Sequence, residues 1–281
     1  MERQLTDKKG YDELYQERTS TLRPFSSSAD FMQAFEERHM SPYYLGGSTK
    51  GYVRGRAIEA LINDANQISN QLGDVTVLDA GSGFGELSAY LALRGFNVIG
   101  VDISKEGTEL SKSLAEKLGV SERCTFIAAS LESIPIDEQS VDFVIGHASL
   151  HHFIKYEGVP SELFRVMKPN GKGYFADAYA ENPAYQLFHN KEMMERLGDV
   201  VLNKNMIINY FPMFNVELVP TDWFVMLDKF LIKFLPKSAD GLIRRFSKVF
   251  FKLDRLNPFK NRVALFLSGA LLTIIHKPAA E

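Results

Sequence analysis

Cysteine is almost absent from this sequence, since Cys124 is the only one among 281 residues. A single cysteine cannot form an intramolecular disulfide and cannot supply a cysteine-rich zinc site. Secreted domains commonly rely on several disulfides, so this shortage favours a reducing compartment. We therefore expect a cytoplasmic protein.

Long hydrophobic runs and a strong charge of one sign are also missing. The first fifteen residues carry charges throughout and lack the apolar core of a secretory signal. The longest apolar run, Ala264 to Ile275, is interrupted by Ser268 and Gly269 and is shorter than the roughly 20 residues of a membrane span. The formal net charge of −3 does not suit a generally basic nucleic-acid binder, so we expect no nucleic-acid partner.

The sequence does contain enough apolar material for a sizeable core, with 45% hydrophobic residues. Residues 1–28 are polar and predict a loosely packed arm. Apolar residues then recur at helical spacing near residues 29–39 and 53–71. We expect an N-terminal arm and helical cap over residues 1–70 and the main domain over residues 71–281.

Strand and helix patterns alternate between residues 75 and 178. Helical stretches at residues 85–94, 104–118 and 160–168 separate short β-branched runs, and Pro169–Gly171 is expected to stop the last helix. This alternation predicts right-handed crossovers and a parallel sheet with both faces covered. The predicted strands are Val75–Leu78, Asn97–Val101, Thr125–Ala128, Val141–Ile145 and Lys172–Ala176.

The C-terminal part differs in charge. Strands are predicted around Asn215–Val219 and at Ala270–Ile275. Residues 228–262 between them hold ten Lys or Arg against three Asp, and apolar residues fall on the opposite side of the predicted helix. This basic amphipathic insertion suits a helix packed over the sheet. It equally suits a surface for anionic lipid, an acidic carrier protein or a negatively charged substrate.

The most informative stretch is VLDAGSGFGE, from Val77 to Glu86. A strand ends, three alternating glycines follow and a helix begins, so a ligand can approach the backbone and the free N–H groups of the helix start. Dinucleotide-binding loops have the spacing G-x-G-x-x-G, whereas the spacing here is G-x-G-x-G, and Glu86 would repel a pyrophosphate. Asp79, at the end of the strand before the glycine loop, adds a second acid near the same ligand position. The loop therefore favours a cation, such as an ammonium together with a sulfonium.

Asp102 closes the next predicted strand, twenty-one residues after Gly81. A carboxylate at this place can accept hydrogen bonds from both hydroxyls of a ribose. Taken together, Asp79, Gly81, Gly83 and Asp102 indicate a site for a positively charged nucleoside rather than a tight packing turn.

Four stretches resemble class I S-adenosylmethionine-dependent methyltransferases, specifically the large group that acts on small molecules. They are VLDAGSGFGELSAYLA, VIGVDIS, FIAASLESIPIDEQSVDFVIGHASLHHF and LFRVMKPNGKGYFAD, in the order of that family. The resemblance implies a Rossmann-like α/β fold with a seven-stranded, mostly parallel sheet. It also implies a helical N-terminal cap, a helical insertion before an antiparallel last strand, and S-adenosyl-L-methionine as the cofactor.

The resemblance also assigns cofactor contacts. Asp79 would lie near the amino group of the methionyl part, Asp102 would hold the ribose, and Ile103 would pack on the adenine ring. The full set of expected cofactor-binding residues is Tyr44, Asp79, Gly81, Ser82, Gly83, Asp102, Ile103, Ser130, Leu131 and His147.

Ser130 departs from the pattern of the family, and Tyr44 lies in a loop that resembles one of the family's features. The family often has an acidic residue after the third strand that accepts from the adenine amino group, whereas this sequence has Ser130, and the backbone N–H of Leu131 follows. The loop Tyr43–Gly47 resembles the aromatic N-terminal loop of the family. Tyr44 is therefore expected to close over the methionine carboxylate, or else to pack in the core.

The candidate catalytic residues follow the fourth and fifth predicted strands, because ligands of open α/β sheets bind beyond the carboxyl ends of the strands. They are His147, His151, His152 and Asp177. A histidine or a carboxylate there can accept the proton of a hydroxyl or ammonium acceptor. The alternatives are a cofactor or substrate contact for His147, structural packing or hydrogen bonding for the other two histidines, and helix capping or a solvated loop for Asp177. We expect no metal, because no carboxylate cluster accompanies the histidines.

The sequence thus predicts methyl transfer from S-adenosyl-L-methionine to a small acceptor at oxygen, nitrogen or carbon. The aromatic residues of the N-terminal helices and of the basic insertion suggest an apolar, lipid-like acceptor, free or bound to a carrier. Two alternatives stay open. One is an enzyme of this fold that catalyses a non-methylating reaction such as cyclisation, and the other is a cofactor-binding module without catalysis.

Overall fold

The structure is a computed structural model, and it describes residues 8–13, 25–40, 51–178, 200–221, 246, 249 and 270–279. Predictions for other residues lie outside the described part of the chain. These include the loop Tyr43–Gly47 and nearly all of the basic segment 228–262.

A seven-stranded sheet forms the centre of the fold, in the order β3-β2-β1-β4-β5-β7-β6. Its strands are β1 (Thr76–Ala80), β2 (Asn97–Asp102), β3 (Cys124–Ala128), β4 (Val141–His147), β5 (Met167–Ala178), β6 (Asn215–Thr221) and β7 (Ala270–His276). The first five strands pair in parallel, whereas β7 is antiparallel to both β5 and β6. The predicted mostly parallel sheet with an antiparallel last strand is confirmed.

Helices cover the sheet and are placed by local capping signals. They are α1 (Ser28–His39), α2 (Gly51–Ile68), α3 (Glu86–Leu93), α4 (Lys105–Leu118), α5 (Leu150–Phe153), α6 (Val159–Val166) and α7 (Lys204–Tyr210), and residues 8–13 are also helical. Ser27 and Ser104 accept backbone N–H bonds at the starts of α1 and α4, as N-cap residues do. Within the described ranges, no helix has both the length and the apolar character that crossing a membrane requires.

Alternating strand residues face two hydrophobic layers. Val77 and Ile145 pack with α1, α2, α3 and α4, whereas Leu78 and Val144 pack with α5, α6 and α7. Both faces of the central strands β1 and β4 are therefore covered, which explains why these strands are apolar on both sides. Helices α1 and α2 share the first layer with the sheet, and the division of the chain at residue 70 stays a prediction.

Two helices end two or three residues earlier than predicted. Helix α2 ends at Ile68 instead of residue 71, and α6 ends at Val166, so that Pro169–Gly171 lies inside β5 instead of stopping a helix. Met167 already pairs with Val141, and the register between β4 and β5 shifts after that pair. The turn residues of this stretch therefore serve a bulge within a strand.

The predicted helical insertion before β7 is described only at Phe246 and Val249. Both are helical and exposed. The extent of the insertion and its basic face stay predictions.

Candidate active site

The glycine loop between β1 and α3 is held by the end of β2. The backbone N–H groups of Gly81 and Ser82 donate to the carbonyl of Val101 at 2.8 and 3.1 Å. Gly81, Gly83 and Gly85 have φ values of 82°, 55° and 74°, a region that other residues rarely adopt. Gly85 is the N-cap of α3, so the loop turns directly into a helix start, as the sequence predicts.

Gly81 is also required by the space around it, and this gives a prediction. A Cβ on Gly81 would lie 2.9 Å from the Cβ of Ser149, whereas Gly119, with a comparable φ of 71°, has nothing within 4 Å of such a Cβ. We expect Gly81→Ala to lower the free energy of unfolding by about 3 kcal/mol and Gly119→Ala by about 1 kcal/mol, because only the first adds a clash to the backbone strain. Urea denaturation of both variants measures the difference, and equal losses would contradict this account of the loop.

Asp79 is the buried acid of the site. Its side chain is 1% exposed and accepts a hydrogen bond from the Ser88 hydroxyl at 2.6 Å. Burial raises the pKa of Asp79 from 3.8 to about 7; the Ser88 bond opposes this rise and the charge of Asp102 adds to it. A carboxyl group that is only partly ionised at neutral pH becomes fully ionised when a cation binds beside it.

Asp102 joins the end of β2 to the glycine loop. Its Oδ2 accepts from the backbone N–H of Gly83 and its Oδ1 from the backbone N–H of Ser104, both at 2.9 Å. Each carboxylate oxygen has a second lone pair, so Asp102 can also accept from two hydroxyl groups of a ligand. The two backbone bonds fix the direction in which it does so.

A cavity of about 280 Å³ opens at the carboxyl ends of the parallel strands, where the sequence predicts the ligand. It brings together most of the predicted site residues, namely Asp79, Gly81, Ser82, Gly83, Asp102, Ile103, Ser130, Leu131, His147 and His152. Of the other candidates, His151 and Asp177 are not among its lining residues, and Tyr44 lies outside the described residues.

His151 and Asp177 form a pair beside this cavity. His151 Nδ1 lies 2.5 Å from Asp177 Oδ1, and Asp177 is 2% exposed. A carboxylate bound to Nδ1 places the ring proton there and leaves Nε2 as the basic nitrogen. The His151 ring adjoins the ring of His152, with centroids 3.9 Å apart, and His152 lines the cavity. In the part of the chain that the structure describes, no three His, Cys, Asp or Glu side chains come together as metal ligands would.

His39 and Arg54 also line the cavity, although the sequence analysis missed both. Arg54 Nη1 lies 3.5 Å from His39 Nδ1, and the ring of His39 meets that of His147 with centroids 5.1 Å apart. Burial, with repulsion from Arg54 second, lowers the pKa of His39 to about 3 and that of His147 well below 6.5. Both imidazoles are therefore neutral at neutral pH, and His147 is a weaker base than an ordinary histidine. Burial lowers the pKa of Arg54 to about 10, which leaves it a cation.

Several buried polar atoms of the cavity lack a partner among the described residues. They are Arg54 Nε, Ser82 Oγ, His147 Nε2 and Ser149 Oγ. Buried polar atoms are normally hydrogen-bonded, so these atoms suit a polar ligand. No sequence pattern distinguishes Arg54 from its neighbour Arg56, and only the packing of α2 brings Arg54 to the site.

Comparison with known proteins gives three findings. The methyltransferase domain family matches residues 78–175. The uncharacterized methyltransferase YcgJ of Bacillus subtilis is 34% identical to this chain, and the match covers 44% of this chain and 48% of YcgJ. The tRNA 5-carboxymethoxyuridine methyltransferase of Escherichia coli K12 has the same identity and the same two coverages. The crystal structure of the (4+2)-cyclase SpnF superposes with a TM-score of 0.56 at 14% identity, over 92% of this chain and 99% of that one. The chain thus spans about half the length of these two relatives, and the structural likeness concerns the fold.

Proposed function

We propose that the chain transfers a methyl group from S-adenosyl-L-methionine to a small acceptor. The proposal starts from the match of residues 78–175 to the methyltransferase domain family and from the fold that the chain shares with solved structures of methyltransferases. One observation carries the proposal. Asp79 and Asp102, which lie in the neighbouring strands β1 and β2, border one cavity together with the glycine loop. A nucleoside with a positively charged methionyl part is a ligand that suits both acids.

The residues around the cavity fit this cofactor. Asp102 would hold the ribose hydroxyls, Asp79 would face the cationic methionyl part, and the guanidinium of Arg54 would bind the methionine carboxylate. Ile103 would pack on the adenine ring, and Ser130 would take the place of the acid that the family often has. When bound, S-adenosyl-L-methionine supplies a methyl group on a positively charged sulfur.

The pair of His151 and Asp177 supplies the base. For a hydroxyl or ammonium acceptor, we assign proton acceptance to His151 Nε2, because Asp177 keeps the proton of the neutral ring on Nδ1 and stabilises the charged ring. His152 connects this pair to the cavity and would position the acceptor.

The acceptor that we propose is apolar and lipid-like, free or bound to a carrier. Aromatic rings line the cavity on several sides, among them Tyr11, Phe35, Phe153 and Tyr156. The Escherichia coli relative is a tRNA methyltransferase, but the net charge of −3 does not favour nucleic acid here. Peripheral membrane contact through residues 228–262 belongs to the same proposal, since the basic residues of this segment would attract anionic lipid.

Labelled cofactor tests the function directly. The purified chain is incubated with S-adenosyl-L-methionine labelled in its methyl group and with a metabolite extract of the host, and the products are analysed by mass spectrometry. We expect a labelled product that is heavier than its precursor by one methylene. An unlabelled isomer of a precursor would instead indicate a reaction such as cyclisation, which is the activity named for the structural neighbour SpnF. Cofactor binding without any product would indicate a non-catalytic module.

The raised pKa of Asp79 predicts that removing its charge increases the stability of the protein and weakens ligand binding. The folded chain keeps this proton up to about pH 7, whereas the unfolded chain loses it near pH 3.8, so the native protein loses stability as pH rises through that window. Asparagine cannot ionise. We therefore expect Asp79→Asn to be more stable than the native protein at pH 8, by on the order of 2–4 kcal/mol, and to gain little at pH 4.

Urea denaturation at the two pH values measures this gain. Asp137→Asn is the matched control, because it removes an exposed carboxylate that does not line the cavity, and it should show no such gain. The same replacement at Asp79 should weaken the binding of S-adenosylhomocysteine, whose ammonium loses its counter-charge. If the stability difference between Asp79→Asn and the native protein is the same at pH 8 and at pH 4, the pKa of Asp79 is not raised by burial.

A further inference from the structure

Residues 8–13 contact the domain at two places, one in the cavity and one beside it. Tyr11 lines it, and its ring meets the ring of His152 edge-to-face, with centroids 5.3 Å apart and 73° between the planes. The carboxylate of the next residue, Asp12, accepts a hydrogen bond from the hydroxyl of Ser104. Because His152 lines the cavity and Ser104 is bonded to Asp102 through its backbone N–H, these two contacts connect the short segment with both parts of the proposed site.

Ser104 is the residue through which the segment reaches the cofactor site. It is fully buried, its backbone N–H donates to Asp102 Oδ1 at 2.9 Å, and its hydroxyl accepts from the N–H of Gly107 at 3.0 Å. A hydroxyl has one hydrogen to donate, and Ser104 donates it to Asp12. The anchor of the segment and the orientation of Asp102 therefore depend on the same residue.

The segment also has distinct inner and outer sides. Tyr11 and Asp12 are partly buried against the domain, whereas the side chains of Lys9 and Glu13 are 81% and 55% exposed and lie 4.0 Å apart as an ion pair. A segment with an aromatic ring inside and charges outside has the amphipathic character of a docked helical turn. Residues 8–13 of the arm predicted over residues 1–28 are therefore helical and contact the domain through Tyr11 and Asp12, and the loose packing of the arm stays a prediction.

We propose that residues 8–13 are an outer wall of the cofactor site, with Asp12 as the anchor at the nucleoside end and Tyr11 as the cover at the reacting end. This inference rests on the proposed function. Docking of the segment and binding of the cofactor strengthen each other, because a coupling free energy acts equally in both directions. Tyr11 is a positioning residue that acts through ring contact.

The dissociation rate of S-adenosylhomocysteine, measured by stopped flow, tests whether residues 8–13 form an outer wall of the cofactor site. We expect Asp12→Ala and Tyr11→Ala each to raise this rate by about 5- to 10-fold, since each removes one contact that holds the segment over the ligand. Tyr11→Phe keeps the ring and should stay within about 2-fold of native. Lys9→Ala alters the outer side of the same segment and should also leave the rate within about 2-fold.

A second measurement follows the segment itself. Trypsin cleaves after Lys8 and Lys9, and we expect S-adenosylhomocysteine to slow this cleavage in the native chain but not in Asp12→Ala. Dissociation rates for Asp12→Ala and Tyr11→Ala equal to that of Lys9→Ala, or equal ligand protection of native and Asp12→Ala, would overturn the outer wall alone. A native chain that does not bind S-adenosylhomocysteine would overturn the proposed function as well.

Discussion

Asp102→Ala is expected to weaken the binding of S-adenosylhomocysteine by about 100-fold or more. In the proposed binding mode, the variant loses two charge-assisted hydrogen bonds to the ribose, each worth about 1.5–3 kcal/mol. It also loses the two bonds at 2.9 Å that tie the N–H groups of Gly83 and Ser104 to the end of β2. Calorimetric titration measures the loss, and Asp137→Ala is the control for removing one surface charge.

A ligand that lacks one hydroxyl separates the ribose contact from disturbance of the loop. The native protein should bind S-adenosylhomocysteine about 10-fold more tightly than its 2′-deoxy analogue. Asp102→Ala should bind the two ligands equally, because the carboxylate that distinguishes them is gone. A variant that keeps the native preference would show that Asp102 does not hold the ribose.

Asp177→Asn is expected to lower the rate of methyl transfer by about 100-fold or more, with the acceptor that the labelling experiment identifies. An asparagine has no negative charge, so it cannot stabilise the charged ring of His151. It also does not hold the proton of the neutral ring on Nδ1. The affinity for S-adenosylhomocysteine should stay within about 3-fold of native, because Asp177 does not line the cavity. Single-turnover kinetics and calorimetry on the same preparations measure both quantities.

The chain offers a matched control for this pair. His276 Nε2 lies 3.8 Å from Glu217 Oε2, and His276 pairs with Lys172, which lies five residues before Asp177 in β5. His276→Gln should leave the rate unchanged, whereas His151→Gln should match Asp177→Asn. If His151→Gln and His276→Gln react at the same rate, His151 is not the base.

The sequence predicts the central sheet well because the determining information is local. The central strands β1 and β4 are short apolar runs buried on both faces, as Val77 and Leu78 illustrate by packing into opposite layers. The glycine loop is also determined by local sequence, since the glycines at positions 81, 83 and 85 all adopt a left-handed backbone conformation. The stretch Pro169–Gly171 is predicted wrongly from the sequence, because the same turn residues suit a helix stop and a strand bulge.

The parts of the site that come from distant elements were not predictable in this way. Arg54 lies in a helix before the first strand, and its place beside His39 depends on how α2 packs on the sheet. Tyr11 belongs to a polar stretch that has no periodic signal, yet it lines the cavity. The residue types of His151 and Asp177 marked them as candidates, but only the fold brings their side chains within 2.5 Å.

The position of S-adenosylhomocysteine in a crystal of the complex is the most direct test of the central claim. We predict the ribose hydroxyls within hydrogen-bond distance of the carboxylate that ends β2, and the amino group of the ligand next to the buried acid of β1. A ligand seated elsewhere on the protein, or a nucleoside turned away from the end of β2, would contradict the account.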